Sequence, residues 1–176
     1  MIRFPCLAVA VAALFLTSGG NAAEPTDAER LAASAAKWKE AKEAAGGNYH
    51  YKAIRSSFTG FRSETVVVVK AGVVTERRHV ATDGGKPGEP GPLKEVWVET
   101  GKDIGTHKDG VAARTLEELY AEAKKVLDAP LPANHVRSLG FDKQGILAYC
   151  YTRDTRIADD APLGGVAPIY LEMGKK

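Results

Sequence analysis

Cysteine is almost missing from this 176-residue chain, which has two, Cys6 and Cys150. A disulfide framework is therefore excluded, and core packing has to hold the fold. Histidine is scarce as well, with His50, His79, His107 and His135 as its four members. None stands at metal-ligand spacing from another and no His-Glu-x-x-His run occurs, so neither a structural zinc site nor a zinc-protease signature is present. No Gly-x-Ser-x-Gly elbow is found. No phosphate-cradling glycine loop is found either, because Gly84-Gly85-Lys86 lies between strand patterns and opens no helix. Charge of one sign is also lacking: 24 Lys and Arg face 22 Asp and Glu, a net +2 with the signs interspersed. That removes the electrostatic footprint of a nucleic-acid binder. Beyond residue 23 no apolar run approaches the roughly 20 residues that span a bilayer. The expectation is a chain with no catalytic signature, no cofactor, no metal and no stable membrane anchor.

What is present starts with residues 1–23. Arg3 precedes an apolar run from Leu7 to Leu16, and the small polar stretch Thr17-Ser18-Gly19-Gly20-Asn21-Ala22-Ala23 leads to Glu24. This order of basic, apolar and small residues is that of a cleavable secretory signal peptide. The run is about half of a membrane span. Cys6 precedes it, in the wrong context for lipid attachment. The pattern predicts export to the periplasm or the medium as a single domain, residues 24–176. Cys150, between Tyr149 and Tyr151, reads as packing in a strand.

Two helices are signalled by capping boxes, Thr26-Asp27-Ala28-Glu29 and Thr115-Leu116-Glu117-Glu118. In the first, Leu31, Ala35, Trp38, Ala41 and Ala45 share a face, Trp38 is the one large anchor, and Gly46-Gly47 ends the helix. In the second, Leu116, Leu119, Tyr120, Ala123, Val126 and Leu127 form an apolar stripe that stops before Pro130 and Pro132. Strands are predicted from Asn48 to Ile54, Thr65 to Val69, Val73 to Val80 and Lys94 to Glu99. Ala71-Gly72 is a reversal between the second and third. A hairpin follows from His135 to Phe141 and Ile146 to Thr152 around Asp142-Lys143-Gln144-Gly145. Val166 to Leu171 adds an edge strand, since Pro168 forbids a central one. Tight turns imply antiparallel pairing. The fold expected is α+β: an antiparallel sheet of about five to six strands, covered on one face by two helices.

Two surfaces stand out as candidates. Tyr49, Tyr51 and Trp97 would form an aromatic binding platform on an uncovered sheet face, or core on a covered one. The stretch after the hairpin carries Asp154, Arg156, Asp159 and Asp160, together with Arg153. Its carboxylates suit a partner, a cation or an acid–base pair; the arginines suit a pinned loop. The function expected is a non-catalytic binding or accessory domain for a protein or small-molecule partner outside the cytoplasm. The alternatives are a small hydrolase using Asp159 or Asp160 with a histidine, and an inhibitor-like protein docking through the glycine- and proline-rich loop 83–92.

Trp38, the strand opening Asn48-Tyr49-His50-Tyr51, the helix Thr115-Leu116-Glu117-Glu118-Leu119-Tyr120, the Asp142 turn and Ala158-Asp159-Asp160 together resemble a family of exported bacterial proteins, domain of unknown function 6174. The likeness runs in order over most of residues 24–176. Many members carry Cys-Phe-Cys where this chain has Ser57-Phe58-Thr59, so any thiol role there is lost. The resemblance implies export and architecture, and no activity.

Overall fold

The computed structural model describes residues 23–57, 59–82, 85–86, 88–157 and 164–174. Helix α1 (Asp27–Ala44) begins at Thr26, whose side chain accepts from the Glu29 amide while the Glu29 carboxylate accepts from the Thr26 amide. Gly46 and Gly47 close it at φ 61° and 74°, the left-handed region that glycine enters without a Cβ clash. The chain then enters strands β1 (Tyr49–Ser56), β2 (Arg62–Lys70) and β3 (Val73–Thr82). Ala71 and Gly72, both at positive φ, make the two-residue turn between the last two. Strands β4 (Gly85–Lys86) and β5 (Glu89–Pro90) form a small hairpin before β6 (Leu93–Thr100). A strap, residues 101–115, opens with one 3-10 turn and leads into α2 (Leu116–Asp128), capped by Thr115 and Glu118. Strands β7 (His135–Phe141), β8 (Leu147–Asp154), β9 (Gly164–Val166) and β10 (Ile169–Met173) complete the fold.

The class is α+β, but the strands form two main sheets rather than one. Five pair antiparallel in the order β10-β1-β2-β3-β6, and three in the order β7-β8-β9. The expected edge strand from Val166 to Leu171 is the point of difference. Val166 pairs with Cys150 on β8, whereas Ile169 pairs with Ala53 on β1. Pro168, between them, has no N–H to give to either ladder, and the chain changes sheets there.

Both sheets and both helices share one core. Tyr49, Tyr51, Val67, Val69 and Ile169 enter from the large sheet, Ile146, Leu147, Cys150 and Val166 from the small sheet and the turn leading into it, and Leu31, Trp38, Leu116, Leu119 and Ala123 from the helices. Polar tips inside this core are paired. The Tyr120 hydroxyl meets Ser34 Oγ at 2.7 Å and accepts from the Leu147 amide at 2.9 Å, tying α1, α2 and β8 together. Among the described residues no helix is long and apolar enough to cross a membrane.

Candidate functional site

The inner face of the large sheet changes character across its width. On β10 and β1 it is apolar. Toward β3 and β6 the alternation that points Tyr51 and Val67 inward also points Thr65, Arg77, His79, Trp97 and Glu99 inward, and all five are buried. The strap covers this half, and a strap with no ladder of its own needs partners for its backbone. Glu99, 1% exposed, supplies two of them and binds two strap side chains as well. Its Oε1 accepts from the His107 amide (2.6 Å), His107 Nδ1 (2.9 Å), Thr106 Oγ1 (3.0 Å) and Arg77 Nη2 (2.9 Å). Its Oε2 accepts from Arg77 Nε (2.8 Å) and the Gly105 amide (2.7 Å). Arg77 also donates to the carbonyls of His107 (2.7 Å) and Val111 (3.1 Å). Burial alone would raise the Glu99 pKa. The Arg77 guanidinium, the two strap amides and the His107 ring overcome that and hold the carboxyl well below the usual range.

Trp97 lies flat among one guanidinium and two imidazoles. The His107 ring stacks on it at 4.7 Å and 8°, the His79 ring at 5.2 Å and 18°, and the Arg77 guanidinium carbon sits 4.5 Å from its centroid. On β3, His79 Nδ1 is 2.9 Å from Thr65 Oγ1, which also accepts from the Val111 amide. The strap reaches this pair at Gly110, at φ 75°. A Cβ there would collide with Thr65 Oγ1 and lie 3.1 Å from His79 Nδ1, so only glycine fits.

Burial, reinforced by Arg77 and opposed by Asp109, pushes the His79 pKa below its ordinary 6.5. The unfolded chain therefore takes up this proton at higher pH than the native one, and stability falls as pH drops through about 6.5. Urea melts at about pH 7.5 and about pH 5 should show a smaller loss for His79→Gln than for the unaltered protein. An equal loss in both would place the titration elsewhere.

Glu99 against His107 supplies two of the three members of a nucleophilic triad, a carboxylate that orients an imidazole. Here the ring's Nε2 has no hydrogen-bond partner among the described residues. Cys150 offers no nucleophile: it is fully buried, its Sγ points at the Ala123 carbonyl 3.6 Å away, and burial pushes its pKa up. A recess of about 710 Å³ between α1, α2 and the β2–β3 turn is lined by Trp38, Lys42, Gly72 and Glu117. Within it Trp38 Nε1 (3.0 Å) and Lys42 Nζ (2.6 Å) both donate to Glu117.

The expected aromatic platform is not exposed. Tyr49, Tyr51 and Trp97 do share a face, and it is the covered one. Tyr49 and Tyr51 are 2% and 1% exposed, because their strand parity carries them under the helices. The Tyr49 hydroxyl accepts from the Leu116 amide at 2.9 Å and so caps α2, and burial pushes its pKa up to about 12. Tyr51 donates to the Arg114 carbonyl at 2.8 Å. At the other candidate surface, Asp154 and Arg156 are paired with each other at 2.6 Å, and the Arg156 amide donates to Asp154 Oδ1. The Arg156 guanidinium and amide hold the Asp154 carboxyl well below its ordinary range. Asp159 and Asp160 lie outside the described residues, as do Asp83, Gly84 and Pro87 of the 83–92 loop. The described part of that loop packs on the 57–61 turn, where a Cβ on Gly60 would collide with the Lys86 carbonyl.

What remains open is the outer face of the large sheet. Tyr170 pairs with Lys52, Lys52 with Val66, Val66 with Arg78 and Arg78 with Val98, so one row of side chains crosses all five strands. Its ends, Tyr170 and Val98, are 55% and 44% exposed, and Val96, beside Val98 on β6, is 55% exposed. The β6 edge itself is irregular. A register shift at His79/Val80 leaves Val96 as an extra residue opposite β3. Such a bulge twists an edge away from pairing, which turns attention from the edge to the face. Comparison of the chain with protein-family models, curated proteins and solved structures finds no match.

Proposed function

We propose that residues 24–176 act, after export, as a non-catalytic binding domain that captures a protein partner on the open face of the large sheet. The observation that carries this reading is the row Tyr170–Lys52–Val66–Arg78–Val98, an aromatic, two cationic and two apolar side chains presented on a five-stranded sheet that the described residues cover on its other face only. Aromatic groups on a rigid, half-covered sheet suit recognition. The inner cluster holds the fold instead, since Glu99 and Arg77 direct their hydrogen bonds to the strap. Export rests on the leader pattern of residues 1–23 and on the resemblance to the family of exported domains.

The test is the double variant Tyr170→Ala, Val98→Ala, used as bait against exported fractions with cross-linking. Partner recovery should fall by at least about tenfold, while stability moves by no more than roughly 1 kcal/mol, since both side chains are surface-exposed. Undiminished recovery by the double variant would reject the face. Recovery lost instead with Asp159→Ala, Asp160→Ala would assign capture to the loop after β8.

A further inference from the structure

The strap is held by polar bonds more than by burial. Of residues 101–110 only Ile104 and Gly110 are partly buried, and the rest face solvent. Two anchors fix it. Residues 105–107 bond Glu99, and the Val111 amide donates to Thr65 Oγ1 at 3.4 Å. The second anchor ends on a buried imidazole, since Thr65 Oγ1 is also 2.9 Å from His79 Nδ1. The Thr65 hydroxyl has one proton to give. Among the described residues His79 Nδ1 is the only acceptor it meets. The closed strap therefore has a neutral His79, with the ring's own proton on Nε2. A second ring proton turns Nδ1 into a donor. Two hydrogens then meet between Nδ1 and Oγ1, and the hydroxyl must rotate inside a buried site with no other acceptor to turn to.

We propose that acid opens the strap: a proton taken up by His79 displaces the Thr65 hydroxyl, and residues 108–111 lift from β2 and β3. Burial opposes that proton while the strap is closed, Asp109 of the strap favours it, and Arg77 on β3 opposes it. Opening admits water to the ring, so opening and protonation favour each other. The other titratable groups of the cluster, Glu99 on β6 and His107 on the strap, are bonded to each other. Arg77 and the strap amides keep the Glu99 carboxyl ionised in mild acid, so residues 105–107 stay anchored. Opening gives up the bond from Arg77 to the Val111 carbonyl, where water takes its place. Trp97 narrows the advantage of the closed form, because its Nε1, on the ring stacked against His79, is buried without a partner. The device lies on the opposite face of the sheet from the proposed capture row, so neither reading depends on the other.

Hydrogen exchange of the full chain, expressed as protection factors at about pH 7.5 and about pH 5, reads the opening residue by residue. The Val111 amide should lose protection at the lower pH by at least about threefold. The open ring titrates near its ordinary 6.5, which limits the loss to about thirtyfold. Low concentrations of urea should leave Val111 exchange unchanged, as for an opening that exposes little surface, and should accelerate exchange of the α2 amides. His79→Gln should abolish the pH step and keep Val111 protected at both values. Thr65→Ser, which retains the hydroxyl, should keep the step. Thr65→Val should lose it, with Val111 already unprotected at about pH 7.5. A step that survives His79→Gln would overturn the proposal. So would Val111 and α2 amides that respond alike to pH and to urea, since acid would then unfold the whole domain. Equal protection of Val111 at both pH values in the unaltered protein would overturn it as well.

Discussion

Glu99→Ala should destabilise the protein by about 3–5 kcal/mol, because it leaves a buried guanidinium without its counter-ion. Arg77 is 3% exposed and has no other carboxylate among its partners. The same change orphans the Gly105 and His107 amides, which the carboxylate accepts from now. For a chain of this length the melting temperature should drop by about 10 °C. Hydrogen exchange locates the effect: amides of residues 105–111 should exchange faster by orders of magnitude, and those of α2 should not. The combined change Arg77→Met, Glu99→Leu should cost less than Glu99→Ala alone, since it removes both charges together. A double variant worse than the single one would show that the pair does more than satisfy itself. The pH dependence has a fixed sign. The carboxyl's folded-state pKa lies below its ordinary 4.5. Its contribution is therefore complete at neutral pH and is lost as pH falls below about 4.5.

Trp38→Ala should be comparably severe, about 3–5 kcal/mol, the range for deleting a buried tryptophan. Helix α1 is alanine-rich, and Trp38 is the large side chain it buries, 3% exposed and edge-on to the Tyr49 ring at 4.8 Å. Ala35 and Ala41, one turn to either side of it along α1, are small and fill little of the space it would leave. Trp38→Phe separates the ring from its nitrogen. It keeps most of the packing, loses the hydrogen bond to Glu117, and should cost roughly 1–2 kcal/mol. Urea denaturation of the three proteins gives this order directly. A loss under about 1 kcal/mol for Trp38→Ala would mean that α1 is not anchored through its indole.

Local signals in the chain stand at the right places. Thr26–Glu29 and Thr115–Glu118 start the helices where the boxes predict, Ala71-Gly72 reverses the chain, and the hairpin around Asp142 forms. These features depend on residues within a few positions of one another. The division into two sheets does not. It depends on which distant strand receives Ile169, and no local residue states that β1 is the partner. The site is legible only in part for a related reason. Trp97 is visible as an aromatic that alternation sets opposite Val96 and Val98, and the same alternation places Glu99 beside it on one face. A charged residue at an inward position reads as an exposed one unless its counter-ion is known, and Arg77 comes from another strand. Alternation also gives Tyr49 and Tyr51 their shared facing. Whether that face is covered depends on where α1, α2 and the strap settle, which alternation does not state.

The exchange of sheets at Pro168 bears on how the chain reaches its native state. Tyr51 stands in register with Leu171, so the first strand of the large sheet receives one of its two neighbours from more than a hundred residues away. Pairings this distant in sequence are slow to form, because a long loop must close before any contact rewards it. Until residues 169–173 arrive, β1 presents an unpaired edge carrying Tyr49 and Tyr51. A chain emerging N-terminus first holds that edge open until residues 169–173 are delivered, so β1, made early, gains its outer neighbour late.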